Sequence, residues 1–361
     1  MNPSTMTAGD AVAALIERDP SLPELAVVLD DDARADAFGR RLEIERLRYK
    51  PGAAILAAVR DAAGDRYWIA SYADPDKLVK SADRARRAGA VTFAPTARVL
   101  SGPAYADRLL VRRVMSHYGD RAATLAGARI VRYNPLRRLV VRDGASAVKF
   151  AAEEAPMAAA SALAAAGLPV LAPVRLGDGV SSTPWWGADL DASPESAARA
   201  GEALAGIHLV SPPALPVADP AREAGAAGQA IAAVLPELAG RARRVADRIA
   251  RGPFGRRRAF CHGDFTADQV LSDGSGIRII DLDRAQIAAP ESDLGSFLAC
   301  GGEPSLLDGY RAAGGRVDEA AMRNHRALAI LQRAIEPFRT APADWPARVE
   351  GELARAEEDA G

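Results

Sequence analysis

Apolar and polar positions change their rhythm several times along the 361-residue chain. Residues 1 to about 40 are acidic and read as helical. After them, one order of elements occurs twice. Arg48-Tyr49-Lys50-Pro51 opens a mostly apolar stretch from Ala53 to Val59, followed by a turn at Gly64-Asp65 and a strand-like run from Tyr67 to Tyr72. An Arg- and Ala-rich helical stretch then ends at Ala88-Gly89, before Val91-Thr92-Phe93-Ala94-Pro95. In the second copy Arg132-Tyr133-Asn134-Pro135 precedes a strand over Arg138 to Arg142, a turn at Asp143-Gly144 and a strand over Ser146 to Phe150. An Ala-rich helix ends there at Ala166-Gly167, and Val170-Leu171-Ala172-Pro173 follows. Each copy reads as a β-hairpin, a helix and a returning strand, with six residues from Gly to Pro in both. Ala-rich sequences imitate each other readily, so duplication and coincidence both stay open.

Beyond residue 180 the spacing becomes mainly helical. Pro194 to His208 is one such stretch. A Pro-rich link from Ser211 to Pro220 leads to a long helix, about Ala221 to Arg251, interrupted near Pro236. Two or three further helices are expected from Glu319 onward. The expected organisation is an N-terminal cap domain over residues 1–124, a small β-rich lobe over 125–182 and a helical lobe over 183–361.

Composition narrows the function. Nearly half of the residues are apolar and about a quarter charged, as in soluble globular proteins. Forty-six basic residues against forty-seven acidic ones leave a net charge of −1, without the basic excess of a nucleic-acid or membrane-surface binder. No secretory signal is visible at the amino terminus, and the tract from Ala158 to Val174 is too Ala-rich and broken for a membrane span. The expectation is therefore a cytoplasmic protein, with Cys261 and Cys300 as buried thiols.

The chemistry concentrates in Cys261-His262-Gly263-Asp264-Phe265-Thr266-Ala267-Asp268-Gln269-Val270-Leu271 and, after Ser272-Asp273-Gly274-Ser275-Gly276, in Ile277-Arg278-Ile279-Ile280-Asp281-Leu282-Asp283. Asp273-Gly274 between apolar runs predicts a hairpin that sets Gln269 opposite Asp281 or one place away. Cross-strand neighbours lie about 5 Å apart, so one cation would touch both side chains. Magnesium takes a few oxygen ligands and keeps its other places for water and phosphate, which this pair allows. Asp264, on the loop entering the hairpin, is placed to accept a proton from an attacking hydroxyl. His262 is expected to hold that loop by hydrogen bonds, and Gly263 to occupy a position intolerant of bulk.

His-Gly-Asp, four residues and then an amide, followed by Ile-Asp-x-Asp about a dozen residues on, resembles the aminoglycoside phosphotransferase and choline-kinase-like superfamily. The resemblance covers roughly residues 128 to 340, including Lys149, Ala166-Gly-Leu-Pro-Val170, the helix end Leu204 to His208 and Pro290-Glu-Ser-Asp293-Leu-Gly. It implies an α+β, bilobal protein-kinase-like fold with a small β-rich N-lobe, a helical C-lobe and an extra N-terminal cap domain. It also implies ATP and Mg2+, with Asp264 as the catalytic-loop aspartate and Gln269 and Asp281 as metal ligands. Asp283 would assist the metal or the substrate, Lys149 would contact the α- and β-phosphates, and Asp293 would brace the catalytic loop. Glu153 or Glu154 is the available partner for Lys149, and Trp186 either lines the nucleotide pocket or fills the gap between lobes. Most members carry Asn at the place of Gln269; Gln occurs in the branch that resembles maltose and glucosamine kinases.

Only four of the forty-six basic residues are lysines, so surface positive charge is met by arginine. That singles out Lys149, between Val148 and Phe150, as a functional lysine. The partner implied is a small-molecule hydroxyl acceptor, a sugar, amino sugar or aminoglycoside, bound among C-terminal helices rich in Glu336, Asp344, Glu350, Glu352, Glu357, Glu358 and Asp359, although Arg333, Arg339, Arg348 and Arg355 dilute that charge and a solvated helix face accounts for it better. A silent kinase-like nucleotide-binding module, or a scaffold using its N-terminal region, is the alternative.

Overall fold

The computed structural model describes residues 7–125, 129–154, 157–211 and 214–361. The Pro-rich link thus has two residues, 212 and 213, outside the described ones.

Three helices open the chain: α1 (Ala8–Arg18), α2 (Leu25–Leu29) and α3 (Asp31–Phe38). Thr7 and Asp10 form a capping box on α1, and the Asp30 carboxylate caps α3 by accepting from the Ala33 N–H at 2.7 Å. Strands β1 (Glu43–Lys50), β2 (Ala54–Arg60) and β3 (Arg66–Tyr72) follow, then α4 (Pro75–Arg87), β4 (Phe93–Thr96) and β5 (Val99–Pro103). They form an antiparallel sheet in the order β1-β2-β3-β5-β4. Helix α5 (Val111–Tyr118) leads to a second run: β6 (Ile130–Asn134), β7 (Arg138–Asp143), β8 (Ser146–Ala151), α6 (Ala158–Ala165), β9 (Val174–Gly177) and β10 (Val180–Pro184). The second sheet repeats the first in its order, β6-β7-β8-β10-β9.

The repeat is larger than the sequence pattern indicates, because β1, β5, β6 and β10 join both hairpins as flanking strands. One expectation is corrected. Val170 and Leu171 do not start the returning strand of the second copy, which begins at Val174. Instead the Ile279 N–H donates to Pro169 O at 2.7 Å and the Leu171 N–H to Ile279 O at 3.0 Å, tying this segment to the chemistry-bearing hairpin. Pro169 offers a carbonyl but no N–H, which suits it to such a single-sided contact.

Strand β11 (Ala188–Asp189) and helices α7 (Pro194–Leu209), α8 (Pro220–Val234) and α9 (Ala239–Arg251) come next. Short strands β12 (Ala259–Cys261), β13 (Val270–Ser272), β14 (Ile277–Ile279) and β15 (Gln286–Ala288) carry the loops of interest. Helices α10 (Glu291–Ala299), α11 (Leu306–Ala312), α12 (Glu319–Arg333), α13 (Glu336–Thr340) and α14 (Trp345–Asp359) complete the chain. This is a bilobal α+β fold of the protein-kinase-like type. Among the described residues, no helix is long and apolar enough to cross a membrane.

The first sheet lies between the other parts of the molecule. Ile55, Ala57 and Val59 of β2 share a core with α8, α9, α12 and α14, whereas Leu56 and Ala58 share another with Leu139, Val141, Val148 and Phe150 of the second sheet. The period-2 alternation of a strand puts successive side chains on opposite faces, so β2 packs against both neighbours at once. A third core joins α6, α7, α10 and α11 with Phe260, Phe265 and Val270 around the His262-Gly263-Asp264 loop. Cys261 is buried as expected, but Cys300 is exposed, because it ends α10 instead of facing the core.

Candidate active site

The hairpin turn at Asp273 is made by its own carboxylate, which accepts from the Ser275 and Gly276 N–H groups at 2.9 Å each. Val270 pairs with Ile279 and Ser272 with Ile277, and the Ile280 N–H donates to Gln269 O at 3.0 Å. Gln269 therefore faces Ile280, with Asp281 one place beyond. Asp281 adopts a left-handed backbone, φ 59° and ψ 48°, which is rare for a residue with a side chain and turns the chain out of the strand.

His262 ties the two halves of the site together. Its Nε2 donates to Ile280 O at 2.8 Å, and its Nδ1 accepts from the Asp264 N–H at 3.3 Å. Asp293 in α10 holds the same loop from below, accepting from the His262 N–H at 2.7 Å, the Gly263 N–H at 2.9 Å and His208 Nε2 at 3.2 Å. Burial alone would push the Asp293 carboxyl up; His208 and the His262 amide outweigh it and bring it below the usual range. Gly263 has φ +81°, and a Cβ there would lie 2.1 Å from Arg284 O, so no larger residue fits.

The carboxylates of the site are met by cations. Arg138 Nη1 lies 2.8 Å and Lys149 Nζ 3.0 Å from the two oxygens of Asp281, and Lys149 also pairs with Asp283. Burial would push Asp281 up, but these two cations hold it far below the usual carboxylate range. Asp264 accepts from Arg333 Nη2 at 2.9 Å and sits 3.5 Å from Arg284 Nη1. Gln269 is buried and its Nε2 donates to Asp268 at 3.1 Å. Asp281, Asp283 and Gln269 each carry a side-chain oxygen, the kind of donor that suits a hard cation such as magnesium.

Thus Lys149, Asp281 and Asp283 meet directly, Gln269 stands one rung away, and Asp264, His262 and Asp293 form one connected loop. Glu154 does not join them. It pairs with Arg175 of β9 at the surface, and no ion pair links it to Lys149 among the described residues, since the side chains of Asp281 and Asp283 take that lysine. Trp186 is half-buried with the Arg278 guanidinium 5.2 Å from its ring centre, a stacked position beside the hairpin. The sequence reading gave Arg138, Arg284 and Arg333 no role at the site. Nothing local distinguishes them among forty-two arginines.

The model of the phosphotransferase enzyme family matches residues 128–331, more than half of the chain. The chain belongs to that family. The match takes in the second sheet, the His262-Gly263-Asp264 loop and most of α12, and leaves out the first sheet. Among solved structures, APH(2")-IIia in its GDP and kanamycin complex is similar at 17% identity and a TM-score of 0.50, over 69% of this chain and 98% of that one. A choline/ethanolamine kinase family protein from Mesorhizobium loti is 20% identical over 69% of this chain and 94% of that one, with a TM-score of 0.49. Choline kinase LicA from Streptococcus pneumoniae is 12% identical over 69% and 98%, with a TM-score of 0.48. No curated protein matches the chain. Family membership makes it a small-molecule kinase, a phosphotransferase with a nucleotide as phosphate donor.

Proposed function

We propose that this phosphotransferase moves the γ-phosphate of ATP, as its magnesium complex, to a hydroxyl of a sugar-like small molecule. The observation that carries the reading is His262, whose single ring spans from the Asp264 backbone to the strand end before Asp281. It fixes the carboxylate that would receive the acceptor proton relative to the one that would hold the metal. In the transfer, the acceptor oxygen bonds to phosphorus, the bond to the ADP oxygen breaks, and the hydroxyl proton passes to Asp264. Magnesium, when bound, offsets the charge on the phosphoryl group; Asp281, Asp283 and Gln269 are its proposed ligands.

Lys149 and Arg138 would leave Asp281 for the phosphates as the metal takes their place. Trp186 is proposed beside the nucleotide, while Glu154, paired elsewhere, has no part in it. The division into a cap over residues 1–124 and lobes over 125–182 and 183–361 is likewise proposed. Because positioning and charge dominate phosphoryl transfer, Asp264→Asn should lose about 10²–10⁴-fold in turnover while still binding MgATP. A screen with labelled ATP over sugars, amino sugars, aminoglycosides, choline and nucleosides supplies the acceptor. Full activity of Asp264→Asn on that acceptor would sink the reading.

A further inference from the structure

The acids crowded into the C-terminal sequence do not gather around Asp264. Glu336 pairs with Arg46 and Arg339, Asp344 with Arg348, Glu352 with Arg355, and Glu357 with Arg241. Asp359 is taken by Arg326. These five are paired on helix faces, and none of them lines the cavity beside Asp264.

What reaches Asp264 is positive. Arg333 arrives from the last turn of α12 and Arg284 from the turn after Asp283, one on each carboxylate oxygen, at 2.9 and 3.5 Å. Both also line the cavity that opens beside Asp264 between α8, α10 and α12. The other carboxyl groups of that cavity have partners within the protein. Asp293 spends both oxygens on the loop amides and His208. Glu223 accepts from Gln332 Nε2 at 2.9 Å, and burial pushes its carboxyl up. Burial first, and then the nearby Arg48, Arg284 and Arg138, lower the proton affinity of a further guanidinium, Arg137. Of the charged groups lining the cavity, the two guanidinium groups are thus the ones paired with Asp264, where the acceptor hydroxyl would enter.

We propose that the acceptor carries an anionic group, a carboxylate or a phosphate, beside its reacting hydroxyl, and that Arg284 and Arg333 bind it. This rests on Asp264 being the residue that receives the acceptor proton. With no acceptor present, both oxygens of Asp264 are engaged by guanidinium groups, and a hydroxyl must compete with them for a hydrogen bond. An anion on the acceptor draws the two arginines off and frees the carboxylate, through the planar, forked pairing that guanidinium makes with carboxylate and phosphate. A cationic acceptor would meet two like charges at the same place and leave Asp264 engaged. Binding and freeing of the base are then one event.

The test uses the full chain with MgATP and one sugar frame in four charge forms: glucose, glucosamine, glucuronate and glucose 6-phosphate, besides the wider acceptor screen. The best acceptor is expected to be anionic, with kcat/KM at least tenfold above its neutral or amine counterpart; preference within the anionic pair distinguishes carboxylate from phosphate. Arg284→Gln, at a largely exposed side chain, should raise the KM of the anionic acceptor at least tenfold with the KM of ATP within twofold. Arg333→Gln, checked for native circular dichroism, should do the same. A best acceptor that is neutral or cationic overturns the proposal while leaving the phosphotransferase reading intact. So does a rise in the KM of ATP alone, which would make the arginines donor-phosphate ligands. No phosphorylated product from any acceptor would sink both.

Discussion

Replacing Asp293 by alanine removes the acceptor of two backbone N–H groups and one imidazole at a place only 1% exposed. Each buried donor left without a partner costs about 1–3 kcal/mol. Three would total about 3–9 kcal/mol, and water entering the vacated space offsets part of this, so about 3–5 kcal/mol is expected. Asp293→Asn keeps the shape and one oxygen but turns an NH2 toward a donor, for about 2–3 kcal/mol. Urea unfolding followed by fluorescence reads both numbers, and turnover should fall further than stability predicts, because the His262-Gly263-Asp264 loop loses its brace. The pH dependence has a definite sign. The folded carboxyl lies below its unfolded value of about 4, so its contribution is complete above that pH and is lost as pH falls through the folded pKa. The wild type should thus lose stability below about pH 4, and Asp293→Asn should show a shallower loss there. An alanine variant within about 1 kcal/mol of wild type would refute the argument that these three donors depend on one carboxylate.

Two further outcomes test the packing around the site. Asp107, 1% exposed, accepts from the Leu136 N–H at 2.7 Å and the Tyr133 hydroxyl at 2.7 Å, and so pins the β6–β7 turn in which Leu136 has φ 58°. Asp107→Ala should release that turn, which carries Arg137 and Arg138 next to Asp281, and raise the KM of ATP severalfold with little change in the KM of the acceptor; steady-state kinetics in both substrates decides. Ile55→Ala and Leu56→Ala, adjacent but on opposite faces of β2, should each cost about 2–4 kcal/mol. Hydrogen exchange should quicken in α8 and α12 for the first and in β6–β8 for the second; the same exchange pattern in both variants would contradict the two-faced packing.

Local signals determined much of this protein. Asp273-Gly274 between apolar runs marked the β13–β14 hairpin and its register to within one residue, because turn chemistry and strand alternation act over a few residues. The hairpin-then-helix order read twice left duplication open, and both sheets do share it, while the scarcity of lysine singled out Lys149, which does stand against Asp281 and Asp283. Tertiary structure decided what those residues meet. That Lys149 pairs with the two aspartates and not with Glu154, and that Arg333 and Arg284 reach Asp264 across 69 and 20 positions of sequence, depends on how α12 and β9 pack. The same holds for the first sheet: the apolar run of β2 indicated a strand, but a run apolar on both faces does not say what covers each one. Only the packing of helices on one side and the second sheet on the other made it a wedge between the lobes. The acids of the C-terminal helices show the limit most directly, since charge along a chain does not say which arginine a fold will place beside each one.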